Sequence, residues 1–170
     1  DYEGALAHAH VIADQVHPRL AAVHAWSQEM LQMIQAEYAE WCSRRNDLVA
    51  EAQKELNDHQ YEEALELLDE IPAPLRDQNI SSLEAQSKTQ QYNLQALRSG
   101  IEQTQEQITA ARHRHDYQLA LTLTGTIIAL NHPRLATERS WAEQTGQSLR
   151  EEYAEWCELR DDLVAQAQKQ

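Results

Sequence analysis

The chain contains an internal duplication, and this duplication limits its possible folds more than any other feature. Residues 1–55 align without a gap to residues 116–170, and roughly half of the aligned positions are identical. The longest shared run, EYAEWC, occupies Glu37–Cys42 and Glu152–Cys157. Such self-similarity is typical of repeat proteins, in which each copy covers an apolar face of its neighbour.

The stretch between the two copies is a diverged third copy. Tyr61, Ala64 and Leu65 match Tyr2, Ala5 and Leu6, and residues 71–75 match residues 16–20. The sequence therefore predicts one helical-repeat region made of three units, at about 1–57, 58–115 and 116–170. The chain begins without Met and stops where the first copy continues, so we expect a fragment of a longer protein whose third unit is truncated.

Each unit reads as a short helix, a break marked by Pro, and a long helix. The expected short helices are 2–16, 60–71 and 117–131, and the expected long helices are 19–56, 75–114 and 133–170. Pro ends the short helices because it lacks an N–H and clashes with the preceding turn. Asp1, Asp58 and Asp116 stand where a side-chain oxygen can cap the first free backbone N–H groups.

The pattern predicts an all-α repeat array of alternating short and long helices, coiled-coil-like and elongated. In the middle long helix a seam with polar gaps recurs at three-and-four spacing: Ile80, Leu83, Leu94, Leu97, Ile101, Ile108 and Ala111. The apolar face changes direction after Leu56, which favours a turn at Asn57-Asp58. Without that turn, the alternative is a spectrin-like antiparallel bundle of helices of about 55 residues.

The charge and the apolar patterning exclude several classes of partner. A formal net charge of -14 disfavours nucleic acid binding, which needs clustered Lys and Arg. The basic run Arg112–His115 reads as a solvated helix end. No apolar stretch is long enough to span a membrane, so we expect no membrane contact by this fragment. Cys42 and Cys157 lack the spacing of a zinc site or of a disulfide framework.

No motif for catalysis, a cofactor or a metal is present, and no small-molecule substrate is expected. Helical metal ligands lie three or four positions apart, whereas His8 and His10 are two apart. His17 and His132 each precede Pro-Arg-Leu, which indicates a structural role at the corner between helices, for example capping carbonyls of the short helix.

The four tryptophans are the candidate protein-binding residues, because exposed Trp residues are common hot spots. They are Trp26, Trp41, Trp141 and Trp156. Packing between repeats explains their matched positions equally well.

The middle unit carries the resemblance to known families. The run Asn57–Pro72, followed by Leu75-Arg76-Asp77, is similar to repeats in planctomycete multidomain proteins that accompany serine/threonine kinase domains or formylglycine-generating, sulfatase-modifying domains. The resemblance implies a connecting or regulatory segment. Residues 61–72 also resemble part of a tetratricopeptide repeat, although the period of about 57 residues departs from the 34 of that family.

We therefore expect a non-catalytic structural spacer or scaffold within a larger protein, with a protein partner or self-association. The alternative is a protein- or peptide-binding helical module that uses exposed Trp side chains.

Overall fold

The computed structural model describes residues 2–15 and 17–168, and these residues form helices and turns without any β-strand. This confirms the predicted all-α class. The six helices are α1 (Tyr2–Ala13), α2 (Ala21–Asn57), α3 (Tyr61–Asp69), α4 (Gln78–His113), α5 (Tyr117–Ile128) and α6 (Ala136–Ala167). Short helices thus alternate with long ones. The chain divides into two compact units, one up to residue 91 and one from residue 92 onward.

A short 3-10 turn joins each short helix to the following long helix. The three turns are Pro18–Leu20, Ala73–Leu75 and Pro133–Leu135. Each starts with Pro at one of its first positions, where the missing N–H costs nothing. The long helices consequently begin two or three residues later than predicted, after these turns.

His17 and His132 have the structural role at the corner between helices that their matched positions indicate. In each case Nδ1 accepts a hydrogen bond from the backbone N–H two residues later, at 3.2 Å, in Arg19 and in Arg134. The imidazole therefore caps the start of the 3-10 turn. Capping of carbonyls at the end of the short helix stays a prediction.

The break between α2 and α3 is present, so the alternative of one continuous helix to residue 71 is wrong. His59 adopts a positive φ of 62°, and the Gln60 N–H donates a hydrogen bond to the Glu55 carbonyl at 2.8 Å. The same turn joins α4 to α5: His115 has a φ of 58°, and the Asp116 N–H bonds the Ala111 carbonyl at 2.9 Å. These bonds close the preceding helix in the manner of a left-handed C-terminal cap.

Two of the three predicted Asp caps fall within the described residues. Asp116 caps α5, because its Oδ1 accepts from the Leu119 N–H at 3.2 Å. The prediction for Asp58 was wrong: it ends α2, with its N–H bonded to the Lys54 carbonyl at 2.9 Å. A capping residue must immediately precede its helix, and Gln60 holds that place before α3. Asp1 lies outside the described residues.

In the unit up to residue 91, the core lies where α3 packs on the second half of α2 and beside the start of α4. α3 contributes Tyr61, Ala64 and Leu68, each 2% exposed or less. The facing positions of α2 and α4 are also buried: Leu48, Ala52, Leu56, Ile80 and Leu83. Full burial of such side chains stabilises the fold by about 1.5–3 kcal/mol each.

Arg76 closes the corner between α3 and α4. Its guanidinium donates to the Ile71 carbonyl at 2.8 Å, to the Leu68 and Asp69 carbonyls at 3.1 Å, and to Glu84 Oε1 at 2.7 Å. These bonds satisfy backbone carbonyls that the end of α3 leaves without a helical partner. One side chain thereby fixes where α4 starts relative to α3.

In the unit from residue 92 onward, α5 packs on the first half of α6, and the second half of α4 covers both. Buried positions occur on all three helices and in the turn before α6: Leu94, Ile101, Ile108, Tyr117, Ala120, Ile127, Leu135, Ala142 and Leu149. A Cβ at Gly146 would stand 3.5 Å from Thr124 Oγ1, an ordinary van der Waals contact, so α5 and α6 pack against each other at this point. The predicted seam residues of α4 are buried or half-buried, and coiled-coil packing stays a prediction.

Candidate protein-contact surfaces

The two units contain matching helix-on-helix contacts, which provide a reference for the exposed surfaces. In the first unit, the second half of α2 packs against α3, and Arg44 pairs with Glu70 at 3.1 Å. In the second unit, the second half of α4 packs beside α5 and α6, and Arg98 reaches Glu138 at 3.5 Å. In both units, the end of a long helix is covered by the next short helix and the start of the next long helix.

The second half of α6 has no such cover among the described residues. Its exposed apolar side chains, with Arg160 beside them, form what we call the α6 face: Trp156, Leu159, Leu163, Val164 and Ala167. Leu159 is 59% exposed and Leu163 57%. Spacings of three and four residues place these side chains on one side of the helix. The α6 face is therefore a continuous apolar strip.

A second exposed apolar surface lies between α1 and the first half of α2. We call it the α1–α2 groove, and its lining residues are Val11, Ile12, Gln15, Leu20, Val23 and His24. Val11 is 62% exposed, Leu20 41% and Val23 46%. Two matching residues in the second unit are much less accessible: Ile127, which matches Ile12, is 1% exposed, and Leu135, which matches Leu20, is fully buried.

The structure places the four candidate tryptophans in two environments. Trp26, next to the α1–α2 groove, is 55% exposed, and Trp156, on the α6 face, is 37% exposed. Trp41 and Trp141 are half-buried. Trp26 and Trp41 are 15 positions apart on one helix, about 22 Å at 1.5 Å per residue, so they belong to separate surfaces.

Arginine side chains lie over two of these indoles. Arg44 stands 5.3 Å from the ring centre of Trp41, and Arg160 stands 5.8 Å from that of Trp156. A guanidinium at this distance is attracted by the ring face. The Arg160 guanidinium is always protonated, so a cation stands beside Trp156. Its hydrogen bond to Asp161 raises the pKa of the Arg160 guanidinium.

The basic run at the end of α4 is exposed, as predicted for a solvated helix end, and Arg112, His113 and His115 also line a pocket of about 500 Å³. Arg112 donates to Glu152 through Nε, at 2.9 Å, and also through Nη2. His115 Nδ1 lies 3.2 Å from the Tyr117 hydroxyl. No local pattern signals the Arg112 pair, because Glu152 follows 40 residues later on another helix. Sequence reasoning missed this pocket.

An apolar groove of about 600 Å³ lies between α4 and α5. Leu97, Gly100 and Ile101 line it from α4, and Ile127 and Leu130 line it from the other side. A Cβ built on Gly100 meets no atom within 4 Å, so the glycine leaves this groove open. Sequence reasoning missed this groove as well.

Among the described residues, no group of three His, Cys, Asp or Glu side chains is placed to hold a metal ion. Both cysteines are free thiols and half-buried. A hydrogen bond with Cys42 is the main cause of the raised pKa of the Tyr38 hydroxyl. No helix in the described part of the chain is long and apolar enough to cross a membrane.

Comparison with protein-family models, with curated proteins and with solved structures finds no match for this chain.

Proposed function

We propose that this chain is a non-catalytic structural spacer or scaffold region of a larger multidomain protein, and that it acts through apolar helix faces. The observation that supports this most is the α6 face. Two of its residues, Leu163 and Ala167, match Leu48 and Ala52, which are buried in α2, yet here Leu163 is 57% exposed. An exposed surface whose residues match buried ones is suited to bind another protein segment.

The ionisable side chains that line the pocket at the end of α4 also support the proposal of a non-catalytic scaffold. Arg112 holds Glu152 in a two-point ion pair between α4 and α6. His115 contacts the Tyr117 hydroxyl within the turn that starts α5. A general acid or base must be available to a substrate, whereas these groups join parts of the fold to each other.

The resemblance to planctomycete repeat segments supplies the context for this proposal. Such a segment connects enzymatic domains without performing their reactions, so we place the kinase or sulfatase-modifying chemistry elsewhere in the parent protein. The acidic composition agrees with a role in protein contact instead of nucleic acid binding.

Thermal unfolding in the presence of small ligands tests the scaffold proposal. A ligand that binds only the folded state stabilises it, by about 2.7 kcal/mol at a hundred times its Kd. We expect the same unfolding temperature, followed by circular dichroism, with EDTA, divalent cations, nucleotides or common metabolites. A reproducible, saturable rise with any of these probes would contradict a purely structural role.

The second candidate function is a peptide-binding helical module. Two observations favour it: Trp26 is 55% exposed, and an apolar groove of about 600 Å³ is open between α4 and α5. Helix-in-groove recognition uses apolar anchors of this kind.

Selection from a displayed library of amphipathic 20-residue peptides discriminates between the two functions. A binding module yields peptides whose Kd rises at least about 30-fold in Trp26→Ala or in Gly100→Leu, the range of a hot-spot loss. Tyr92→Ala is the matched control, because Tyr92 is 72% exposed and lies on neither surface. If the chain is only a scaffold, no selected peptide should lose affinity in these variants.

A further inference from the structure

We propose that His132 and His17 are pH-sensitive caps. Each imidazole holds the corner between a short and a long helix while it is neutral, and it releases that corner when it takes up a proton. The proposal goes beyond the scaffold function and does not depend on it. It follows from the kind of group that each imidazole contacts.

The contact at each corner requires an uncharged ring. His132 Nδ1 lies 3.2 Å from the Arg134 backbone nitrogen, and His17 Nδ1 lies 3.2 Å from that of Arg19. A backbone N–H can only donate a hydrogen bond, so Nδ1 must accept it. The neutral imidazole has one accepting nitrogen, whereas both nitrogens of the imidazolium carry a proton. Protonation therefore replaces the hydrogen bond with a contact between two N–H groups.

The capped amide is the first donor of each 3-10 turn. Both histidines have an extended backbone, with φ -126° at His132 and -137° at His17, and Pro follows them directly. Because Pro has no N–H, the amide after it is the first one that a cap can bind. The imidazole thus offers an acceptor at the residue where the chain turns from the short helix toward the long one.

The charged groups around His132 give the imidazolium little compensation. α5, the short helix before this corner, contains no Asp, Glu, Lys, Arg or His. Glu138 of α6 is the carboxylate nearest in sequence, and it already pairs with Arg98 of α4 at 3.5 Å. Arg98 also donates to the Arg134 carbonyl at 3.4 Å, and Arg139 is the next residue of α6. A proton on His132 would add positive charge near three arginines.

The surroundings of His17 differ from those of His132. Asp14 follows the end of α1, Arg19 lies in the turn, and His24 lies in the first half of α2. Asp14 is exposed, and its carboxylate can attract an imidazolium at this corner. His17 is exposed and His132 is half-buried. We therefore expect the larger effect of protonation at His132.

The middle corner is an internal reference without a titrating cap. Pro72 holds the position that matches His17, and no side chain caps the 3-10 turn that follows. Arg76 holds this corner instead, through hydrogen bonds to backbone carbonyls and to Glu84. A guanidinium stays charged at all relevant pH values. This corner should therefore keep its bonds when the pH falls from 8 to 5.

His59 and His115 form a second reference. Their Nδ1 atoms lie 3.0 and 3.2 Å from the hydroxyls of Tyr61 and Tyr117. A hydroxyl can donate or accept, so this contact can be a hydrogen bond with the imidazole in either charge state. Sensitivity to acid is thus expected at the histidines that face a backbone N–H.

Thermal unfolding at pH 8 and at pH 5 tests the proposal with His132→Asn. Asn caps a helix start equally well and does not titrate in this range. A group that must be neutral in the folded chain stabilises it above the ordinary histidine pKa of about 6.5, and this contribution is lost as the pH falls. We expect similar unfolding temperatures at pH 8, and at pH 5 a variant that unfolds about 2–4 °C above the wild type.

Two further variants complete the series. His17→Asn should show a smaller gap of the same sign at pH 5. His8→Asn is the matched control, because His8 is exposed on α1. Its difference from the wild type should be the same at both pH values, whereas a gap that opens at pH 5 in His8→Asn as well would contradict a specific role of the caps.

Amide resonances of the wild-type chain give a second measurement that needs no variant. The Arg134 amide proton should move upfield between pH 8 and pH 5, because it loses its hydrogen bond to the imidazole. The Leu75 amide proton, which bonds the Pro72 carbonyl at the middle corner, should stay in place.

Two results would overturn the proposal. One is an equal gap between His132→Asn and the wild type at pH 8 and pH 5, and the other is an Arg134 amide resonance that does not move between them. Neither measurement involves a ligand or a protein partner, so both results would leave the scaffold proposal unchanged.

Discussion

Residues 37–52 and 152–167 are nearly the same sequence in two different environments. Both begin with EYAEWC, both continue with Asp-Leu-Val-Ala, and both form the second half of a long helix. In the first, Leu48 is 8% exposed beneath α3, and in the second, Leu163 is 57% exposed. Local sequence therefore determines that each run is helical, and the neighbouring helices determine which side chains are buried.

The shared glutamates show the same dependence on neighbours. Glu37 accepts a hydrogen bond from the Tyr2 hydroxyl at 2.8 Å, whereas Glu152 accepts from Arg112. The same residue at the same position in a repeat thus contacts a tyrosine of a short helix in one case and an arginine of a long helix in the other. Substitutions at paired positions can test how far this comparison holds.

The largest expected difference is between Leu48→Ala and Leu163→Ala. Removing a buried leucine side chain costs about 2–3 kcal/mol at a position such as Leu48. The same change at an exposed position should alter the free energy of unfolding by less than about 0.5 kcal/mol. Urea titration at low protein concentration, followed by circular dichroism, measures both. Equal losses at the two positions would mean that the α6 face is buried in the dilute chain.

Arg76→Ala should weaken the corner that holds α4 next to α3. The Arg76 side chain is 28% exposed and bonds three carbonyls and Glu84, so we expect a loss of about 1–3 kcal/mol in urea titration. The matched control is Arg44→Ala, because the Arg44–Glu70 pair is more than half exposed on both sides and should contribute less than about 1 kcal/mol. A larger loss in the control would indicate that the exposed pair holds α3 in place.

Asp116→Ala should cost about 1 kcal/mol, the usual value of a lost N-terminal cap. Asp58→Ala, a change of the same residue type at the other turn, should have almost no effect, because Asp58 precedes α3 by three residues and makes no N-terminal cap. Thermal unfolding of the two variants tests this pair. A larger loss of thermal stability in Asp58→Ala than in Asp116→Ala would contradict this prediction.

The smallest effect concerns Tyr2. Its hydrogen bond to Glu37 is the main cause of the raised pKa of the Tyr2 hydroxyl. The protonated phenol donates this bond, so its contribution to stability is complete below pH 10, the ordinary pKa, and is lost as pH rises through the raised value. In absorbance titration of the tyrosines, Tyr2→Phe should remove a late-titrating group, and Glu37→Gln should shift that group to lower pH.

Tyr92→Phe is the control for this titration, because it removes one tyrosine and leaves the Tyr2 bond intact. An unchanged late step in Tyr2→Phe would show that the bond to Glu37 does not govern the titration.

Features encoded locally could be predicted from the sequence. Helix periodicity, the prolines and the change of apolar face after Leu56 led to the correct order of short and long helices and to the break after Asn57. Asp116 was identified as a cap because it stands directly before Tyr117. Each of these signals acts within about one turn of helix.

Features that depend on tertiary neighbours could not be predicted. Arg76 bonds carbonyls that face it only after the chain has turned the corner, and the Arg112–Glu152 pair joins residues 40 positions apart. The duplication indicated equal copies, so it could not reveal that Leu48 and Leu163 differ in exposure. The four tryptophans were recognised as candidates, but their division into exposed and half-buried residues depends on which helices lie beside them.

The left-handed residues that end α2 and α4 have a consequence for the unfolded chain. Glycine is the usual choice for a positive φ, yet both turns use histidine, at φ 62° for His59 and 58° for His115. Each imidazole lies near the hydroxyl of the tyrosine two residues later, at 3.0 and 3.2 Å. A histidine samples fewer backbone conformations than glycine in the unfolded chain. Forming these two turns therefore costs less conformational entropy than it would with glycine.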